Sequence, residues 1–478
     1  MKIIKSNEIQ NRNLNILSFS LIINNYIIKI SYKFSIFCIL FFVVILYLIN
    51  IERYKSFLNK IIIEYKNKFN IEFDENIKNR INIAIYAFGF KNGGRARTSS
   101  LLINSFYNLN FFNLFLFTRR EKEKDEYKLP DNLKRIVIHN NLIKQIKRNK
   151  IKILIYQLSY HEDIKNLNNL RNTKVIFYQH LGILDWIYGN YTIFKNIYRD
   201  YIDSKYVVNI IPYENDYLFP KWGIKSILMD NFMTYEFIKV IPSDLSPKTI
   251  LMIGRGDAKK KRFEKGIQAM EYIKEEIPDT QMLIISELNG IFRHDSLINN
   301  INLKDKSKFE GYTASPEIYY KNASLNLFPS ISEAFPLVMC ETKIYGIPNI
   351  LLGLDYTSVS EGGSFIIYDE TSESLANIAI KLLLNKAKRN KLGENARNSM
   401  KKFNNNFLLI KWIKLILSIF IDDNLYERLR NQDQKLSLEE SLSIVGSQIK
   451  LLKLRIPIFK NITINNLENF EFMEKYNI

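Results

Sequence analysis

Five runs, INIAIYAF (Ile81 to Phe88), FFNLFLF (Phe111 to Phe117), RIVIH (Arg135 to His139), KILIYQL (Lys152 to Leu158) and KVIFYQH (Lys174 to His180), recur with helical stretches between them. Each is β-branched or aromatic and of strand length, and such runs are buried on both faces only in a parallel sheet covered by helices. A second series consists of KTILMIGR (Lys248 to Arg255), QMLIIS (Gln281 to Ser286), SLNLFPS (Ser324 to Ser330) and NILLGL (Asn349 to Leu354). Val240-Ile241-Pro242-Ser243 interrupts the pattern between the two series. The chain therefore reads as α/β with two parallel-sheet domains, 81–240 and 241–402.

At 478 residues the chain has room for two domains of ordinary size with appendages. FSIFCILFFVVILYLINI, Phe34 to Ile51, is apolar apart from Ser35 and Asn50. It reaches roughly 27 Å as a helix, enough for a thin bilayer. We read residues 1–33 as a tail, 34–51 as a single transmembrane anchor and 52–80 as a charged helical stem. Lys and Arg are denser after the run than before it, so the positive-inside rule puts the large C-terminal part on the cytosolic face. Use of the sequons at Asn190, Asn322 or Asn461 would mark a lumenal face instead.

The net charge of +19 comes from Lys spread over the whole chain, which describes a solvated surface more than one binding stripe. Without zinc-finger spacing or interleaved basic and aromatic residues, nucleic acid is not an expected partner, whereas an anionic membrane surface or a phosphate-bearing ligand is. Cys38 and Cys340 form neither a disulfide framework nor a metal site.

SISEAFPLVMCETKIYGIP, Ser330 to Pro348, spaces Glu333 and Glu341 eight positions apart. A strand ends before it, Pro336 suits the first turn of a helix, and Gly346 with Pro348 stops that helix. A helix that begins just past the carboxyl end of a parallel strand offers free backbone N–H groups to a crevice, and Phe335, Pro336, Leu337 and Val338 fall at that position. Such a site suits a diphosphate. Glu341, about five residues into the helix, suits a sugar hydroxyl, and Glu333 a second set of hydroxyls. The plain alternative makes Glu333 a helix-dipole partner and Glu341 a surface charge.

The motif resembles the E-x7-E element of the family-4 retaining glycosyltransferases. LMIGRGDAKKKRFEKGIQAM, Leu251 to Met270, resembles their second block, in which an Arg and a Lys neutralise the donor diphosphate. Arg255 matches that Arg. Lys261 is the chosen lysine, because Phe263, Ile267 and Met270 then share the buried face of the next helix, with Lys259, Lys260 and Lys265 as competitors. FEGYTASPEIYYKNASLNLFPS, Phe309 to Ser330, resembles the family segment that leads into the motif. GFKNGGRARTSS, Gly89 to Ser100, resembles the glycine loop in which Gly93 and Gly94 let backbone approach the donor phosphates, though by itself it reads equally as a turn. His180 resembles the histidine that contacts the donor sugar; a structural His is the alternative. ISELNG, Ile285 to Gly290, departs from the glycine-rich turn of many members.

The resemblance implies a GT-B fold, two Rossmann-like domains facing a cleft, with the nucleotide-sugar donor on the C-terminal side and the acceptor on the N-terminal side. A crossover helix is expected over 403–421, followed by a tail, 422–478. It implies retaining transfer from a nucleotide-diphosphate sugar to a glycan, lipid-linked or protein acceptor, without cofactor or metal and without a protein nucleophile. Glu333, His180, Arg255 and Lys261 are the expected catalytic residues, and Gly93, Gly94, Phe335 to Val338 and Glu341 the donor-binding ones. A catalytically inactive, membrane-tethered scaffold of the same fold is the competing reading.

Overall fold

A computed structural model describes residues 80–468, apart from 92, 108, 110–111, 158–165, 188–197, 199–200, 256–258, 287–297, 299–302, 314, 422–425, 428–429, 431–434 and 457–459. The tail 1–33, the anchor 34–51, the stem up to 79, the Asn190 sequon and the turn ending at Gly290 lie outside the described residues. The chain divides into two units, 1–78 and 79–478, and the second holds everything described.

The first sheet takes its strands in chain order from β1 (Ile81–Ala87), β2 (Phe112–Thr118), β3 (Lys134–Val137), β4 (Ile153–Tyr156), β5 (Lys174–Tyr178), β6 (Tyr206–Asn209) and β7 (Ser226–Leu228). Between them lie α1 (Gly94–Tyr107), α2 (Leu142–Arg148) and α3 (Ile183–Ile187). The spatial order is β3-β2-β1-β4-β5-β6-β7, parallel throughout.

The second sheet is built from β8 (Thr249–Ile253), β9 (Gln281–Ile285), β10 (Ser307–Glu310), β11 (Leu325–Phe328), β12 (Asn349–Leu352) and β13 (Ser364–Ile367), in the order β10-β9-β8-β11-β12-β13. It is also fully parallel. Its helices are α4 (Phe263–Glu276), α5 (Glu317–Tyr320), α6 (Leu337–Ile344), α7 (Ser372–Leu384) and α8 (Lys386–Ser399). The centre of β8 and all of β11 and β12 are buried, as strands covered on both faces must be, and Phe263, Ile267, Met270 and Ile273 of α4 fill one side.

All nine apolar runs form strands. The sequence reading lacked β6, β7, β10 and β13. Three of these lie at sheet edges: β10 is Ser-Lys-Phe-Glu and β13 only partly buried, so their apolar signature is weak, whereas β7 is buried but only three residues long.

α9 (Asn405–Ile421) starts two residues later than the expected 403. It returns to the first sheet. Trp412 is fully buried there, its ring 5.1 Å from Tyr178 and 6.0 Å from Phe106, and the Asn405 side chain bonds both the N–H and the carbonyl of Met233. α10 (Leu438–Arg455) and α11 (Ile464–Glu468) follow. Among the described residues no single helix is long and apolar enough to cross a membrane.

Candidate active site

Both sheets reverse their winding at one place, between β1 and β4 and between β8 and β11. At such a switch point the loops leaving neighbouring strands diverge and open a crevice at the carboxyl ends. A cleft of about 480 Å³ lies there, lined from the first sheet by Gly93, Gly94 and His180 and from the second by Arg255, Lys261, Glu333, Phe335 to Val338 and Glu341. The fold thus brings all the candidate residues to one cavity.

Gly93 has φ +87°, which explains a glycine at the start of α1, and a side chain on either Gly93 or Gly94 would meet nothing within 4 Å. Backbone is therefore open to a ligand on that wall. Across the cleft, Pro336 caps α6 with φ −75° and ψ 97° and is not itself in its first turn; the helix begins at Leu337. Pro336 has no N–H to give, and the Cys340 N–H is bonded to the Pro336 carbonyl at 3.2 Å. The first-turn amides without a helical partner are therefore those of Leu337, Val338 and Met339, of which Leu337 and Val338 line the cleft beside Phe335. Gly346, at φ +73°, terminates the segment as the sequence indicates.

The lysines separate by geometry. Lys261 forms an ion pair with Glu333 and lies 5.3 Å from the Phe328 ring centre. Lys260 turns to Asp185 of α3, 2.9 Å away, and Asp185 also accepts from the Ser332 hydroxyl at 2.8 Å. That group ties the two sheets together. Lys265 lies within α4 and does not line the cleft, whereas Arg255 is exposed on its wall. Burial alone would lower the Lys260 ammonium, but the facing Asp185 and Glu333 charges hold it above its ordinary value.

Glu341 is not a surface charge. Its carboxylate accepts from Arg97 of α1 at 2.9 Å, from Thr234 at 2.8 Å and from Tyr320 at 2.6 Å, and its side chain is 2% exposed. His180 is buried, its ring 4.1 Å from that of Tyr178, and its Nε2 has no hydrogen-bond partner among the described residues. Burial, aided by Arg95, lowers its pKa to about 3, so the imidazole is neutral.

Sequence reasoning missed Arg97, Asp185, Ser332, Thr234 and Tyr320. Arg97 sits inside the quoted glycine loop, one helical turn past Gly93, so its place on the cleft side was readable once that loop was assigned to a helix start. Nothing local marks the others. Glu214 was missed too. Its carboxylate accepts from the Ile183 N–H at 2.7 Å and supports the loop between His180 and Asp185. Gly182 allows this approach, because a Cβ there would sit 2.8 Å from a Glu214 oxygen. Among the described residues no three His, Cys, Asp or Glu side chains gather as a metal site would require.

Residues 234–399 match the family model described as glycosyl transferases group 1. The chain carries a glycosyl transferases group 1 domain. That group 1 domain contains Arg255, Lys261, Glu333 and Glu341, together with the whole second sheet. An uncharacterized glycosyltransferase of Haemophilus influenzae is 25% identical over 134 residues, 26% of this chain, and the chain spans 38% of that relative's length.

Among solved structures, sucrose-phosphate synthase from Thermosynechococcus elongatus superposes with a TM-score of 0.60 at 19% identity, over 71% of this chain and 99% of its own. HepE from Anabaena, in complex with UDP and glucose, gives 0.59 at 14% identity over 71% and 100%. A mutant of TarM from S. aureus, in complex with Fondaparinux, alpha-GlcNAc-glycerol and UDP, gives 0.56 at 13% over 72% and 100%. With two parallel sheets around one cleft, the fold is GT-B.

Proposed function

We propose that this chain is a retaining glycosyltransferase that moves a sugar from a nucleoside-diphosphate sugar to an acceptor. One observation carries the reading: the Lys261–Glu333 pair, the start of α6 at Leu337 and Val338, and His180, whose buried Nε2 has no partner among the described residues, line one cleft at the switch points of two sheets. The group 1 domain and the UDP named with HepE and TarM support it.

In this reading Arg255, Lys261 and the amides of Phe335, Leu337 and Val338 take the diphosphate, where they would stabilise the charge that develops as it leaves. Neutral His180 and Glu333 orient the sugar, and Glu341 the ribose. A carboxylate offers about four acceptor positions, so Glu341 retains capacity beyond the three donors it now holds. The departing phosphate oxygen assists deprotonation of the acceptor, with no protein nucleophile and no metal ion. The apolar run 34–51 anchors the enzyme at a membrane with its sheets on the cytosolic face, and a glycan, lipid-linked or protein acceptor approaches from the first sheet.

The test is release of UDP or GDP from a panel of nucleotide sugars by protein starting at Glu52, with and without EDTA and with membrane extracts as acceptor, beside Glu333→Ala. EDTA-resistant release, absent in the variant, with a product of the donor's anomeric configuration, is expected. Loss with EDTA would overturn the metal-free reaction, and an inverted product the retaining one. Silence with every donor and acceptor from folded protein would favour the non-catalytic scaffold.

A further inference from the structure

Arg262 directly follows Lys261 and adopts φ +47° and ψ +44°, and Glu370 adopts φ +61°. A non-glycine residue in the left-handed region is strained, because its Cβ crowds the backbone. Five such residues occur among the described ones, and these two meet in a single ion pair. The Arg262 guanidinium forks onto both Glu370 oxygens at 3.2 and 3.3 Å and donates its Nε to the Pro329 carbonyl at 3.0 Å.

A second guanidinium completes the group. Arg455, in the last turn of α10, donates its Nε to the two Glu370 oxygens at 2.8 and 2.9 Å and its Nη1 to the Ile331 carbonyl at 2.9 Å. The Ile331 N–H in turn donates to the Lys260 carbonyl at 2.8 Å. Loop 259–262, which carries Lys261, and loop 329–333, which carries Glu333, are thus joined through one largely covered carboxylate and two guanidinium groups. The side chains of Arg455, Glu370 and Arg262 are only 6%, 12% and 12% exposed. Burial would raise the Glu370 carboxyl, yet the bonds and charges of Arg455 and Arg262 hold it below its ordinary value.

α10 is docked by more than this arginine. Gln448 donates to the Gly353 carbonyl at 3.1 Å and to Asp355 at 2.6 Å, and Gly353 (φ +64°) admits the helix because a Cβ there would lie 2.4 Å from Leu451. The helix lies outside the segment that matches the group 1 family.

We propose that Arg455 is a positioning residue for sugar transfer: acting through Glu370 and Arg262, the C-terminal helix α10 sets the Lys261 and Glu333 loops at the separation a donor diphosphate requires. This rests on the transferase reading above. Bidentate forks suit the task, since a planar guanidinium fixes both distance and angle where an ammonium fixes only charge. Left-handed backbone at both residues fits a locally strained arrangement held by its surroundings.

The test uses the full chain with Arg455→Gln, Arg455→Lys, Lys261→Ala and the Lys261→Ala/Arg455→Gln double variant, with UDP-glucose, UDP-N-acetylglucosamine and GDP-mannose as probes. Arg455→Gln should lower kcat/KM for the donor that the wild type uses by about 10- to 100-fold, the range that misplacement of a positioned group produces. Arg455→Lys should fall between it and the wild type and, if Arg455→Gln fails to fold, carries the comparison. On a Lys261→Ala background the Arg455 substitution should add less than about twofold, because groups that act as one unit are not additive.

Hydrogen exchange at the Ile331 amide, which needs no donor, should accelerate at least tenfold in either Arg455 variant while the Tm holds within a few degrees. Unchanged exchange, or fully additive losses, would overturn the positioning role. A wild type that uses none of the probes or the wider donor panel, with membrane extracts as acceptor, while exchange does accelerate would overturn the transferase reading and leave the α10 clamp established.

Discussion

Glu214 has no exposed surface, and burial, with the nearby Asp185 charge, pushes its carboxyl up to about 8 against the bonds from the Ile183 N–H, Asn209 and Tyr213. A carboxyl raised on folding contributes stability that is complete below its unfolded value of 4.5 and is lost as pH rises through about 8. His180 works in the opposite direction: its folded value of about 3 lies below the ordinary 6.5, so its contribution is complete above pH 6.5 and is lost as pH falls. The two offset each other from pH 4.5 to 6.5. Between 6.5 and 7 the Glu214 loss is no longer offset by His180, so wild-type stability should fall there by about 1.4 kcal/mol per pH unit, until Lys343, whose pKa burial lowers to about 7, begins to offset it; Glu214→Gln should remove that fall. Calorimetry across that window checks it; equal slopes would mean that the carboxylate is already ionised in the folded protein. On the transferase reading, Arg255→Ala or Lys261→Ala should lose about 10² or more in kcat/KM, the scale of removing one charge-stabilising group. Steady-state kinetics with the identified donor checks that, and a loss under threefold would remove the residue from the site.

At the scale of the element, α6 was legible because its signals are local: a proline before it, apolar Leu337, Cys340 and Ile344 on one side, then Gly346 and Pro348. α10 lies in the segment 422–478 that the sequence reading gives only as a tail. Ser437 and Glu440 form a capping box at its start, yet nothing in the sequence says what it packs on. The structure shows its partner to be the turn after β12. Gly353→Ala should therefore destabilise the protein by about 1–3 kcal/mol, through a Cβ in the left-handed region and a clash with Leu451. A lowered Tm, with faster hydrogen exchange over residues 438–455, is the expected readout. An unchanged Tm would show that α10 docks without needing that close approach.

In the whole molecule the last part of the chain passes from one sheet to the other and back. α9 buries Trp412 against the first sheet, α10 lies on the second, and Glu468 of α11 accepts from Tyr217 beside the first. Arg97–Glu341 and Lys260–Asp185 join the sheets across the cleft itself. Unit 79–478 should consequently unfold in one calorimetric transition with equal van't Hoff and calorimetric enthalpies, because neither sheet opens without exposing the elements that bridge both. Two resolved transitions would mean that the bridges are too weak to couple the halves.

The sequence by itself determined the class of the fold and named residues that the fold brings to one cleft, without the partners Arg97, Asp185 and Tyr320 that hold them there. Runs apolar on both faces have nowhere to go but a covered parallel sheet, and a proline-to-glycine helix just past a strand marks a ligand crevice wherever the sheet is wound. Periodicity, caps and breakers act over a few residues, so they were readable without a structure. The tertiary structure alone decided who pairs with whom: Lys261 with Glu333 across 72 positions, Arg262 with Glu370 across 108 and Arg455 with Glu370 across 85. Those choices depend on strand order and on where a helix returns. A run of three lysines carries no signal that separates the one turned to Asp185 from the one turned to Glu333. The order β10-β9-β8-β11-β12-β13 brings the ends of β8 and β11 side by side, and with them the loops on which the proposed chemistry depends.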